Sequence, residues 1–157
     1  EKAAESGNPA AFKFPRPMLR DNSLDMSFSG LKTAVLYETQ DLAKRGELER
    51  AIPDLAASFQ AAVADVLVGK SIRAVERSGA SCLIVAGGVA RNTLLRNRLD
   101  AASRREDIRV ILPPMEFCTD NAAMVARPAI HYHKLGHNDG LAVAAFPTGA
   151  LDWPVAG

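Results

Sequence analysis

Along the chain the spacing of apolar positions changes several times, and each change marks an element. The stretch after Gly7, NPAAFKFPRPMLRDNSLDMS, has three prolines and no periodicity, which predicts an extended connector over residues 1–30. Helical spacing begins after Ser27 or Ser29, either of which can cap, and puts Leu31, Ala34, Val35 and Leu42 on one face, with Gly46 as the stop. A longer helix is expected to open at Pro53-Asp54 and run to Gly79, with Leu55, Phe59, Ala62, Val63, Val66 and Leu67 on one stripe. SCLIVAG is a short β-branched apolar run ending in glycines, the signature of a buried strand in a mostly parallel sheet. A helix from Asn92 to Arg104 follows, and IRVILPP repeats the strand signal. CTDNAAMVARPAIHYHKLG then predicts a helix starting at Thr119 or Asp120 and stopping at Gly136.

This alternation of strand and helix predicts an α/β fold with right-handed crossovers, its core spanning residues 31–140. The tail, 141–157, is expected to hold at most one edge strand before becoming irregular. The opening EKAAES reads as the last turn of a helix that begins upstream, so the chain is expected to be a fragment.

Composition narrows the picture. A chain of 157 residues that is 48% hydrophobic and 24% charged has material for one globular core, and its formal charge of +1 advertises no strong attraction to nucleic acid or membrane. No apolar run reaches the roughly 20 residues of a membrane span. Cys82 and Cys118 have neither metal-type spacing nor a disulfide framework, which favours a reducing cytoplasm.

Two motifs lose their apparent chemistry on inspection. LVGKS at 67–71 has Ala64 where a phosphate-binding loop needs glycine, and it falls inside a helix, so Gly69 is expected to make a close helix contact. In HYHKLGH, His131 and His133 point about 200° apart on a helix and cannot share an ion, which leaves them as surface histidines.

The junction at Gly87-Gly88 is more informative. Glycines after a strand let a ligand approach the backbone, and the next helix offers N–H groups at its positive end, which suits a nucleotide or another anion; a plain tight turn uses the same residues. Six arginines between positions 91 and 109 are either solvated side chains or contacts to a phosphate backbone. Asp120, after a strand and loop, is either a helix cap or one ligand of a cation completed from elsewhere.

With FKFPRPM, SFSGLKTAV, AGGVARN and CTDNAAMVA in this order, the chain resembles the carboxy-terminal part of the TsaD family, the tRNA adenosine threonylcarbamoyltransferases once labelled glycoproteases. The resemblance runs from about Asn8 to about Leu141. It implies the second lobe of an ASKHA fold, the architecture of actin, Hsp70 and sugar kinases, helix-rich and with an incomplete sheet. It further implies that Gly87 and Gly88 border the adenosine of a bound nucleotide, that Asn92 contacts it, and that Asp120 is a metal ligand. Arg91 stands where many relatives carry a smaller residue.

The implied metal, iron or zinc, would be shared with an H-x-x-x-H pair of an amino-terminal half not present here. The implied enzyme transfers a threonylcarbamoyl group from threonylcarbamoyl-AMP to the exocyclic amine of the adenosine beside the anticodon, in tRNAs reading codons that begin with A. Its partners would be tRNA and the accessory proteins TsaB and TsaE, with no membrane. By itself the chain is expected to be inactive and to self-associate through the face left uncovered. A non-catalytic nucleotide-binding or interaction module is the alternative; a metalloprotease would need an H-E-x-x-H that the chain lacks.

Overall fold

The computed structural model describes residues 1–138, 140 and 141. A 3₁₀ turn (Lys2–Ala4) precedes helices α1 (Ser29–Lys44) and α2 (Leu48–Ser78), strand β1 (Cys82–Ile84), a 3₁₀ turn (Gly88–Arg91), helix α3 (Thr93–Glu106), strand β2 (Arg109–Ile111), a 3₁₀ turn (Met115–Phe117) and helix α4 (Ala122–Lys134). The chain divides after Asp120 into two units, Glu1–Asp120 and Asn121–Gly157.

Helix α2 is the mast of the first unit. Near its start Leu55 and Ala62 join Leu31 and Leu42 of α1 and Phe14 of the connector in one buried cluster. Further along, Ala64 packs with Leu95 and Leu99 of α3, and Ile72 and Val75 pack with Ala102 and Ile108. Buried positions therefore lie on several sides of α2 rather than on one stripe, and Phe59, expected in the core, is 36% exposed. By length and composition α2 is apolar enough to cross a membrane, although its apolar positions form no unbroken run; its packing between α1, the connector and α3 accounts for that composition.

Several boundaries differ from expectation. Helix α2 starts at Leu48, five residues before Pro53, because a proline near the start removes only a bond to the carbonyl of the exposed Glu49. Neither Ser27 nor Ser29 caps α1: the N-cap is Phe28, and Ser29 is already helical. Helix α4 is capped by Asn121, whose Oδ1 accepts from the Met124 N–H at 3.1 Å, and not by Thr119 or Asp120. The stops at Gly46, Gly79 and Gly136 all have positive φ, as glycine after a helix allows.

The connector contains no helix or strand between Glu5 and Phe28, yet it is tied to α2 throughout. Asn8 N–H donates to Asp54 and Phe12 N–H to Ser58 Oγ. A Cβ on Gly7 would lie 1.9 Å from the Pro53 carbonyl oxygen, so only glycine fits there. Arg16 and Arg98 both grip Asp65, joining connector, α2 and α3 through one carboxylate. Lys70, fully buried, donates to Asp21 at 2.5 Å and to the Ser23 carbonyl at 2.7 Å. Gly69 does make a close approach, but to Leu19 of this connector rather than to a helix: its Cβ would lie 2.6 Å from Leu19 Cδ1.

Strands β1 and β2 pair in parallel, Cys82 with Arg109, Leu83 with Val110 and Ile84 with Ile111, with α3 as the crossover. Leu83, Val85, Val110 and Leu112 pack on α2 and α3. Among the described residues nothing covers the opposite face: Ile84 is 71% exposed, so β1 is not the strand buried on both sides that its composition suggested. The unit is α/β and helix-rich. The edge strand expected in the tail lies outside the described residues.

Candidate functional site

Strand β1 delivers the chain to Gly87, whose φ of 92° is a conformation that only glycine adopts without strain. Gly88 has no such constraint, and the space where a side chain would stand is open. The turn over Gly88–Arg91 then places Asn92 as the N-cap of α3, its Oδ1 accepting from the Leu95 N–H at 2.9 Å. Its Nδ2 donates at 2.9 Å to Oε1 of Gln60, which α2 presents from the opposite wall.

Gln60 and Asn92 stand in the wall of a cavity of about 570 Å³, between α2, α3 and the start of α1. Phe28, Phe59, Val63, Leu67, Val89 and Leu95 make it largely apolar, and Lys32 and Glu1 add charge at its margin. Such a cavity, apolar with a few fixed polar groups, suits a flat heterocycle that needs two or three hydrogen bonds to orient it. With Asn92 Oδ1 occupied by the helix and one Nδ2 hydrogen by Gln60, the remaining Asn92 N–H is left as a donor, matched to a ring nitrogen or a ribose oxygen.

Two of the N–H groups expected to be free at the positive end of α3 are taken. The Thr93 N–H donates at 2.9 Å to Glu1 Oε1, and the Leu95 N–H is taken by Asn92. A carboxylate thus occupies the place foreseen for a ligand anion, because it meets the same need of the helix terminus. Hydrogen bonding to Thr93 holds the Glu1 carboxyl below its usual range.

Of the residues singled out in the sequence, Asn92 lines the cavity, whereas Gly87 and Gly88 shape the loop that leads to it. Gln60, Lys32 and Phe59 were not singled out as site residues. Phe59 looked like core, Lys32 lay unassigned within SFSGLKTAV, and no local signal joins Gln60 to a partner 32 positions away. A second cavity, about 650 Å³, lies along the connector, but Arg16, Asp21 and Asp65 in its wall are already paired.

Asp120 is exposed and makes no hydrogen bond or ion pair among the described residues. Since Asn121 is the cap of α4, a capping role does not explain Asp120. Among the described residues no group of three histidine, cysteine or carboxylate side chains could hold a metal ion. His133 Nδ1 lies 2.8 Å from Asn138 Oδ1, and the rings of His131 and His137 meet Tyr132 edge-on. The described residues therefore do not by themselves make a metal site; Asp120 fits the role of one donor only.

Residues 1–127 match the family model of TsaD, tRNA N6-adenosine threonylcarbamoyltransferase. Relatives bearing that name include those of Aromatoleum aromaticum, 48% identical over 98% of this chain and 43% of the relative, and Fervidobacterium nodosum, 47% identical over 90% and 42%. The relative from Variovorax paradoxus is 52% identical over 82% of this chain and 36% of its own length. The chain spans less than half the length of these curated relatives.

Proposed function

The chain belongs to the TsaD family, and on that premise we propose that it is the carboxy-terminal part of an enzyme that transfers threonylcarbamoyl to tRNA, forming the second lobe of an ASKHA fold. The donor is threonylcarbamoyl-AMP, and the acceptor is the exocyclic amine of the adenosine beside the anticodon in tRNAs reading codons that begin with A. The observation that carries this reading is the cavity behind the Gly87-Gly88 loop, which has the size and polarity for the adenosine of the donor. Asn92, held by Gln60, donates to that adenosine, while Phe59, Val89 and Leu95 enclose the base. Gly88 leaves room for the ribose, and Lys32 supplies positive charge at the margin.

In the transfer the amine nitrogen forms a bond to the carbamoyl carbon, the bond from that carbon to the phosphate oxygen breaks, AMP departs and the amine loses a proton. No nucleophilic side chain is needed, so the chain's contribution is to bind and orient the donor. Asp120 serves as one ligand of a divalent iron or zinc shared with histidines outside this chain. TsaB and TsaE are the accessory partners, and the cytoplasm is the compartment. The single donor at Asp120 favours a second reading for the 157 residues alone, a nucleotide-binding module without turnover. Assay of the whole protein with threonylcarbamoyl-AMP and unmodified tRNA tests the reaction; AMP binding without transfer would leave only the module.

A further inference from the structure

Arg96 sits on the first turns of α3, half-buried, and uses both ends of its guanidinium. Nε donates to the Ala90 carbonyl at 2.6 Å. Nη2 donates to the Pro113 carbonyl at 2.6 Å and meets Cys118 Sγ at 3.2 Å. Ala90 lies in the turn between Gly88 and Asn92, whereas Pro113 and Cys118 belong to the segment that leads from β2 to Asp120. Ala90 and Cys118 are each 1% exposed, so the clamp closes in a place largely removed from water. There a bond to a charged donor is stronger than at the surface.

We infer that Arg96 is a positioning residue that fixes the loop carrying Asn92 to the segment carrying Cys118 and Asp120, so that a nucleotide bound at the first steadies the second. The coupling, though not the clamp itself, rests on the proposed nucleotide site. A guanidinium does this where an ammonium cannot. Its planar fork reaches two carbonyls in fixed directions, one in each segment. The arginine is not explained by charge balance, since no carboxylate pairs with it among the described residues.

Alkylation of Cys118 reports on the clamp. In the whole protein, digested and read peptide by peptide, Arg96→Lys should speed Cys118 labelling about tenfold, the effect of losing one or two bonds to a charged donor. Labelling of Cys82 serves as the reference and should stay unchanged. Hydrogen exchange should rise in residues 88–92 and 113–118 together. In the unaltered protein AMP should slow labelling of Cys118, and Arg96→Lys should abolish that protection while its melting transition remains cooperative. Unchanged Cys118 labelling in the variant, or loosening of one segment alone, overturns the clamp. If AMP binds but leaves Cys118 labelling of the unaltered protein unchanged, the coupling is overturned, whether or not the variant folds. If AMP does not bind, the proposed nucleotide site and the coupling fall together, and labelling and exchange of the variant still decide the clamp.

Discussion

Gln60 Oε1 accepts a 2.9 Å hydrogen bond from Asn92 Nδ2, across the cavity between α2 and α3. Because Asn92 Oδ1 is already engaged by the Leu95 N–H, the amide cannot turn over without losing two bonds. Its second N–H is therefore held in one orientation.

Asn92→Ala should weaken AMP binding by about 1–3 kcal/mol and also lower stability by about 1 kcal/mol through the lost cap. Asn92→Asp separates these effects, since a carboxylate still caps Leu95 but has no N–H to offer. Calorimetric titration of the whole protein with AMP, alongside thermal unfolding, should show weakened binding in both variants and a lost cap only in the first. Full affinity in Asn92→Asp would exclude the donor role.

Gln60→Ala removes the brace but not the donor, so AMP binding should fall by only about 0.5–1.5 kcal/mol. The same titration checks it. A loss as large as that of Asn92→Ala would make Gln60 a direct contact rather than a brace.

Asp120→Ala should lower the metal content of the whole protein and leave its melting transition in place, because the cap of α4 is Asn121. Asn121→Ala should do the opposite, costing about 1 kcal/mol of stability. Elemental analysis and unfolding measured on the same samples would show whether these effects separate by residue; full metal occupancy in Asp120→Ala removes Asp120 from the ligand set.

Acid should loosen the connector. Hydrogen bonding to Lys70, with help from Ser23, holds the Asp21 carboxyl below its usual range. Its stabilising contribution is thus complete above the ordinary aspartate pKa and fades as pH falls through the lower folded value, below about pH 5. In Lys70→Met the partner is gone, so this part of the acid dependence should vanish, and stability near neutrality should fall because the pair's contribution there is lost. Unfolding midpoints between pH 3 and 7 for both proteins would reveal it.

The 157-residue chain, expressed alone, should not modify tRNA, and it should self-associate through the sheet face where Ile84 and Ile111 stand exposed. Sedimentation should show a smaller species when both are replaced by threonine. Turnover by the chain alone would defeat the proposal that the cleft needs a second lobe.

What could be read from the sequence follows from the range of each signal. Periodicity and glycine stops act within a few residues, so the stops of α1, α2 and α4 and the two strands were legible. The start of α2 was misread because a proline near a helix start is weak evidence for the boundary itself. The bare face of β1 was invisible, since Ile84 looks the same whether or not something covers it. Asn92 stands out through its motif, whereas Gln60 and Arg96 meet partners brought near only by the fold, and only the fold brings Lys32 to the cavity margin. The carboxylate of Glu1 at the start of α3 was missed for the same reason.

That last contact has a kinetic side. Glu1 and Thr93 are 92 positions apart, and the cavity wall in which Glu1 stands is otherwise made by the start of α1, by α2, and by α3 with the turn before it. Joining ends so far apart carries a loop-closure cost that the local turns of α2 do not, so helices form early and the cavity is assembled late, when the long-range pieces dock. Interactions made after the folding barrier act mainly on the unfolding rate. An occupant of the cavity should consequently prolong the life of the folded state while leaving the speed of folding almost untouched.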